Sequence, residues 1–174
     1  MGEPVGLEQL AGAVGDRGDC GSLTGDSRHP ADTVPRVAKP RKVIVNVDGG
    51  SRGNPGPAAI AAVATDPSGE VLSERSETIG AATNNVAEYR ALLLGVALAK
   101  DLGADEAEFV GDSMLIVEQV RGNWKVKQEH LRPLHAEARA ALDDLGSWSI
   151  RHVKRGENER ADELLNEALD SAQR

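Results

Sequence analysis

Four carboxylates stand out by where they fall in the chain. Asp48 follows Val43, Ile44, Val45 and Val47, a β-branched run that predicts a strand buried on both faces. It comes where that strand is expected to end. Gly49 and Gly50 follow, then Gly53, Asn54, Pro55, Gly56 and Pro57, so the backbone must turn sharply. A carboxylate at the end of a buried strand is costly without a partner, and a metal ion is one such partner. Asp112 stands in the same position after the short apolar run at 108–111. Glu88 and Asp162 each fall in the first turn of an expected helix. Taken singly, each has a simpler reading: an Asp-Gly hairpin turn for Asp48, a capping box for Glu88, a cap or turn for Asp112, the helix dipole for Asp162. Taken together, they put acids at several element ends that could share one edge of a sheet, where sites form in α/β proteins.

The elements that must carry them follow from periodicity. After the Gly-rich turn, 58–65 reads as a small-residue strand, 66–69 as a turn, and 70–79 as a third strand. Three strands joined by short turns predict an antiparallel meander. Asn85, with Glu88 three residues on, predicts a helix N-terminus, and Leu92, Leu93, Val96 and Ala97 supply its apolar stripe to about Lys100. A strand at 108–111, a helix capped by Ser113, a helix over 131–145, a strand over 148–153 and a helix over 160–172 complete the order β-β-β-α-β-α-α-β-α. That order predicts an α/β fold with a mixed five-stranded sheet, an antiparallel meander plus parallel strands, flanked by helices. Residues 1–40 are rich in Gly, Asp, Ser and Pro without a sustained period, and read as a disordered tail ahead of one domain over 41–174.

Composition narrows the classes. Aromatics are 2% of the 174 residues, which excludes a binding surface built on many stacked rings. The formal net charge of -8 runs against the usual basic character of nucleic-acid binders. Even so, cations cluster locally at Arg121, Lys125, Lys127 and Arg132, and again at Arg151, Lys154, Arg155 and Arg160. Cys20 is the only cysteine, so no intrachain disulfide or cysteine-based zinc site can form. With no apolar run long enough for a bilayer and no signal-peptide pattern at the start, the expected location is cytoplasmic, with no membrane partner. No G-x-x-x-x-G-K-[ST] or G-x-G-x-x-G pattern occurs in 48–57, which argues against a nucleotide cradle there.

Four segments, in order, resemble type 1 ribonuclease H over about residues 41–172: VDGGSRGNPGPA at 47–58, TNNVAEYRALL at 83–93, VGDSMLIV at 110–117 and ENERADELLNEAL at 157–169. The resemblance implies the ribonuclease H-like fold and endonucleolytic cleavage of the RNA strand of RNA–DNA hybrids, leaving 3′-hydroxyl and 5′-phosphate ends. It assigns metal binding and catalysis to Asp48, Glu88, Asp112 and Asp162. Oxygen ligands of this kind suit Mg²⁺ or Mn²⁺ rather than zinc. Two such ions, about 3.5–4 Å apart, can activate water and hold the leaving oxygen in line. Crowded acids repel without metal, so their pKa values should rise in the metal-free protein. The resemblance also implies substrate contacts at Gly49, Gly50, Ser51, Asn54, Thr83, Asn84 and Asn85. There, close backbone approach and amide groups can read the 2′-hydroxyl in the minor groove. A monomer is the family expectation; what the tail binds is open.

Departures from the pattern qualify the resemblance. The loop before the last acid, 153–157, is short and has no His, and Arg155 is the candidate to stand in for it. Met114 stands where many members have a substrate-touching Gln, and Ala81 where others have a basic residue. The long basic handle is absent; Arg121, Trp124, Lys125 and Lys127 are what remains there. Hybrid binding is therefore expected to be weaker and more salt-sensitive than in relatives that carry the handle.

Overall fold

A computed structural model describes residues 41–174; the tail read over 1–40 lies outside the described residues. Five strands run β1 (Lys42–Ser51), β2 (Gly56–Thr65), β3 (Val71–Ala82), β4 (Glu106–Gly111) and β5 (Ser147–His152). The helices are α1 (Asn84–Leu102), α2 (Met114–Arg121), α3 (Arg132–Asp143) and α4 (Glu159–Ala172), with single 3-10 turns at Glu129–Leu131 and Arg155–Glu157. The element order is the one expected. The sheet order is β3-β2-β1-β4-β5. β1 pairs antiparallel with β2, and β2 with β3; β1 pairs parallel with β4, and β4 with β5. Among the described residues no helix is long and apolar enough to cross a membrane.

β2 shows why the sheet needs helices on both faces. Ala58, Ile60, Ala62 and Ala64 join the larger core, with Val43, Val45 and Val47 of β1 and the apolar side of α1. The alternate residues Ala59, Ala61 and Val63 pack on Ala161, Leu164, Leu165 and Leu169 of α4. Small residues in a strand let two helices lie close to it at once. α1 itself comes close to β1 through Gly95, where an added Cβ would stand 2.6 Å from a methyl of Val47.

Three local expectations change. β1 is not buried on both faces along its whole length: Val43, Val45 and Val47 are buried while Ile44 and Asn46 are only partly so. Nor does β1 end at Asp48. It continues to Ser51, and Asp48 pairs with Ala61 of β2, so the Asp-Gly hairpin turn is excluded. α1 starts two residues earlier than the Asn85 cap implied. Thr83 is the N-cap, its hydroxyl accepting from the Val86 N–H at 3.3 Å. Asn85 is already helical, so Glu88 lies beyond the capping-box position and its carboxylate is available for something else.

Candidate active site

The acids converge where β1 and β4 run side by side. Asn46 pairs with Val110, so two residues further along each strand Asp48 and Asp112 are brought level, with Asp112 directly after the end of β4. Glu88 reaches them because α1 comes almost into contact with β1 here. An added Cβ on Gly49 would stand 2.3 Å from the carbonyl carbon and oxygen of Ala87 and 2.5 Å from the Glu88 nitrogen. Only glycine permits that approach. As a result Asp48, Glu88 and Asp112 each present an oxygen within 4.8 Å of the others.

Asp162 lies beside this trio rather than within it. It sits in the first turn of α4, where its carboxylate accepts from Arg155 at 3.1 Å and from the Asn166 amide at 3.2 Å. Its charge still reaches Asp48 and Asp112. The start of α4 is pinned to β1 by Asn158, a residue whose role the sequence reading missed. The Asn158 amide donates to the Val47 carbonyl at 2.9 Å, and its oxygen accepts from Asn46 at 2.9 Å. Asn158 is buried, and its side chain makes no cap to its own helix. The available signal was an Asn in the ENERAD segment, one turn ahead of the acid. Asn158→Ala leaves the Val47 carbonyl and the Asn46 amide unpaired, so a loss of about 1–3 kcal/mol in urea unfolding is expected.

Electrostatics mark the cluster. Burial, with Asp112 and Asp162 nearby, pushes Asp48 up to about 7 against the pull of Arg155 and the Gly49 N–H. Glu88 is held well above the usual carboxylate range, first by burial and then by Asp48 and Asp112. Burial also raises Asp112, opposed by its own N–H, Arg155 and His152. The Nε2 of His152 lies 3.1 Å from the Asp112 carbonyl oxygen, at the last residue of β5. The expected rise is thus present at Asp48, Glu88 and Asp112, with burial ahead of repulsion as its cause. Oxygen-only donors that resist ionising together fit a hard divalent cation, which would stabilise their charged forms.

The sign of the pH effect follows. The folded protein keeps a proton on Asp48 that the unfolded chain loses above its ordinary value of 3.8. That contribution is complete below pH 3.8 and is lost as pH rises through about 7. Metal-free protein is therefore expected to lose stability, on the order of a few kcal/mol, between about pH 4 and pH 7 in urea unfolding. Added Mg²⁺ should restore it at the upper pH. A flat profile would contradict the crowding.

Around the acids lies a cleft of about 460 Å³, with Gly49, Gly50, Ser51, Asn84, Asn85 and Arg155 in its wall. Asn54 and Thr83 serve the wall from behind. The Asn54 side chain accepts from the Asn84 N–H at 3.1 Å, and Asn84 accepts from the Ser51 N–H and hydroxyl, each at 2.9 Å. Thr83 caps α1. The loop after β1 and the start of α1 thus form one hydrogen-bonded unit beside the acids. Much of the second basic cluster is already paired: Arg151 with Glu108, and Arg160 with Glu74 through two contacts at 2.7 and 2.8 Å. Arg155 differs in being 80% exposed at its side chain and standing over the acids. No long handle separates α2 from α3; residues 122–128 run as a loop, with Trp124 48% exposed.

Comparison with known proteins agrees with this geometry. The family model described as "Reverse transcriptase-like" matches residues 46–168. Ribonuclease HI of Halobacterium salinarum is 46% identical over 145 residues, 82% of this chain and 73% of that protein. The chain belongs to the type 1 ribonuclease H family. The crystal structure of the halobacterial RNase H1 superposes with a TM-score of 0.73 at 47% identity, covering 75% of this chain and 98% of that one. LC11-RNase H1, solved in complex with an RNA/DNA hybrid, gives a TM-score of 0.73 at 42% identity, covering 76% and 99%. A bifunctional protein of Mycobacterium tuberculosis is 48% identical over 132 residues, which are 75% of this chain but 36% of that longer protein. The protein is a ribonuclease H, and the mixed sheet with helices on both faces is the ribonuclease H fold.

Proposed function

We propose that this ribonuclease H cuts the RNA strand of RNA–DNA hybrids internally, by a two-metal-ion reaction that leaves 3′-hydroxyl and 5′-phosphate ends. The observation that carries the reading is the meeting of Asp48, Glu88 and Asp112 within 4.8 Å, with Asp162 alongside, in a cleft walled by Ser51, Asn84 and Asn85. Asp48, Glu88, Asp112 and Asp162 would hold two Mg²⁺ or Mn²⁺ ions. Bound there, such ions supply a nucleophile from water and neutralise the charge that develops on the leaving oxygen.

The chain's own residues do the rest. Asp48, near the middle of the group, keeps the negative charge of the cluster focused between β1 and β4. Gly49, Gly50 and Ser51 offer main chain at the cleft wall; Asn85 offers an amide that both donates and accepts, and Asn84, its oxygen held by Ser51, offers its amide N–H groups, the chemistry needed to read a 2′-hydroxyl. Asn54 and Thr83 hold that wall in register. Arg155 takes the place of the loop His: released from Asp162, its guanidinium can hold a phosphate oxygen of substrate or product. The working form is a cytoplasmic monomer acting on nucleic acid, without a membrane partner.

The test is a hybrid labelled on its RNA strand, incubated with Mg²⁺ or Mn²⁺, beside duplex DNA, single-stranded DNA and single-stranded RNA. Internal cuts in the RNA of the hybrid, with 3′-hydroxyl ends, are expected. Preferential cutting of single-stranded DNA, or stepwise removal from one end, would replace this reading by a related exonuclease or resolvase activity.

A further inference from the structure

Arg52 and Arg155 are the cations among the described residues that line the cleft, Arg155 against the start of α4 and Arg52 against its end. Arg155 has a place in the reading above; Arg52 has none. Its backbone is clamped. The Arg52 N–H donates to the Pro57 carbonyl at 2.8 Å, and Gly56 packs so tightly that a Cβ there would meet the Arg52 carbonyl oxygen at 2.1 Å. On one side the loop is tied to α1 through Ser51 and Asn84. On the other, the Arg52 guanidinium donates to Asp170 and, at 2.8 Å, to Gln173, at the C-terminal end of α4. Clamping of the main chain leaves the side chain as the part able to move.

We propose that Arg52 is a phosphate-binding residue of the hybrid cleft, held by Asp170 and Gln173 until a nucleic-acid backbone displaces them. The inference rests on the hybrid-cleaving reading. Three observations support it. The Arg52–Asp170 pair is exposed on both sides, 38% and 59%, and exposed pairs open at little cost. A duplex entering a cleft lined by acids meets repulsion, which a guanidinium freed on the cleft wall would offset. The planar guanidinium also presents a donor fork that fits phosphate as well as carboxylate. In this arrangement Asp170 competes with the substrate, so removing it should help binding. A purely structural staple between the loop and α4 would behave in the opposite way.

Full-length protein carrying Asp48→Asn, so that the hybrid stays intact, is titrated into fluorescent hybrid by anisotropy across a KCl series. Arg52→Ala in that background is expected to weaken binding about five- to tenfold and to flatten the slope of log Kd against log [KCl] by about 0.7–0.9, one phosphate contact. Arg52→Lys should keep the slope, because the charge remains. Asp170→Asn should tighten binding about two- to threefold. An unchanged slope in Arg52→Ala, or weaker binding in Asp170→Asn, overturns the proposal and leaves the staple. Cleavage assays on the chain with native Asp48 separate the two levels: hybrid cutting together with an unchanged Arg52→Ala slope sinks this inference alone. Failure to cut hybrid sinks the functional reading and this inference with it.

Discussion

Asp48→Asn is expected to lower hybrid cleavage by a factor on the order of 10³ or more while making the metal-free protein more stable. The two effects share one cause. Asp48 is 6% exposed and faces Asp112 and Asp162, and burial with like charge raises it to about 7. In the metal-free protein above that pH, the ionised carboxylate is a buried charge among other acids. An amide of nearly the same shape relieves that repulsion, a gain of about 1–3 kcal/mol at pH 8. The amide also removes a negative oxygen ligand from the centre of the cluster, and ligands that act as one unit are not replaced by their neighbours. The checks are initial rates of RNA-strand cutting under Mg²⁺ and urea unfolding without metal. Loss of activity together with loss of stability would mean that Asp48 has a structural role these carboxylates do not explain.

Gly49→Ala should impair both folding and chemistry. Its Cβ would stand 2.3 Å from the Ala87 carbonyl, a contact with backbone that no side-chain rotation relieves. Either β1 or the first turns of α1 must move, at a cost of about 1–3 kcal/mol or more. Because Glu88 follows Ala87 directly, the shift falls on a member of the acid trio. A displacement of about 1 Å at a reacting centre can cost on the order of 10² in rate. Gly50→Ala is the stability control. A Cβ there meets only methyl groups of Leu165, at 3.6 and 3.7 Å, and should leave the unfolding midpoint close to the parent value. Equal stability of the two variants would show that the close approach of α1 to β1 does not govern the site.

The placement of charge, rather than its sum, makes a chain of net charge -8 compatible with a polyanionic substrate. Several surface cations are engaged by acids, as in Arg151 with Glu108 and Arg160 with Glu74, so counting charges says little about where positive potential is left. What matters is that Arg52 and Arg155, each paired with an acid of α4, stand on the wall of the same cleft as the acids, where a phosphate can compete for them. A cation would also be drawn to that cleft by the acids themselves.

The chain by itself determined the residue types, the element order and the sheet plan. Each leaves a local trace: β-branched runs for β1, an apolar stripe for α1, Gly and Pro at the turn after β1, and acids after apolar runs or near helix starts. Tertiary structure decided what those traces do not encode, which is distance between residues far apart in the chain. Gly49 reads as a turn residue until Ala87 is seen against it. Asn158 reads as one polar residue among many until its amide is found on Val47. Asp162 reads as the equal of the other acids until Arg155 and Asn166 are found holding it beside the trio. Strand and helix periods repeat over a few residues and can be read from one segment at a time. Contacts between β1, α1 and α4 depend on how separate segments pack, and that packing has no period to read.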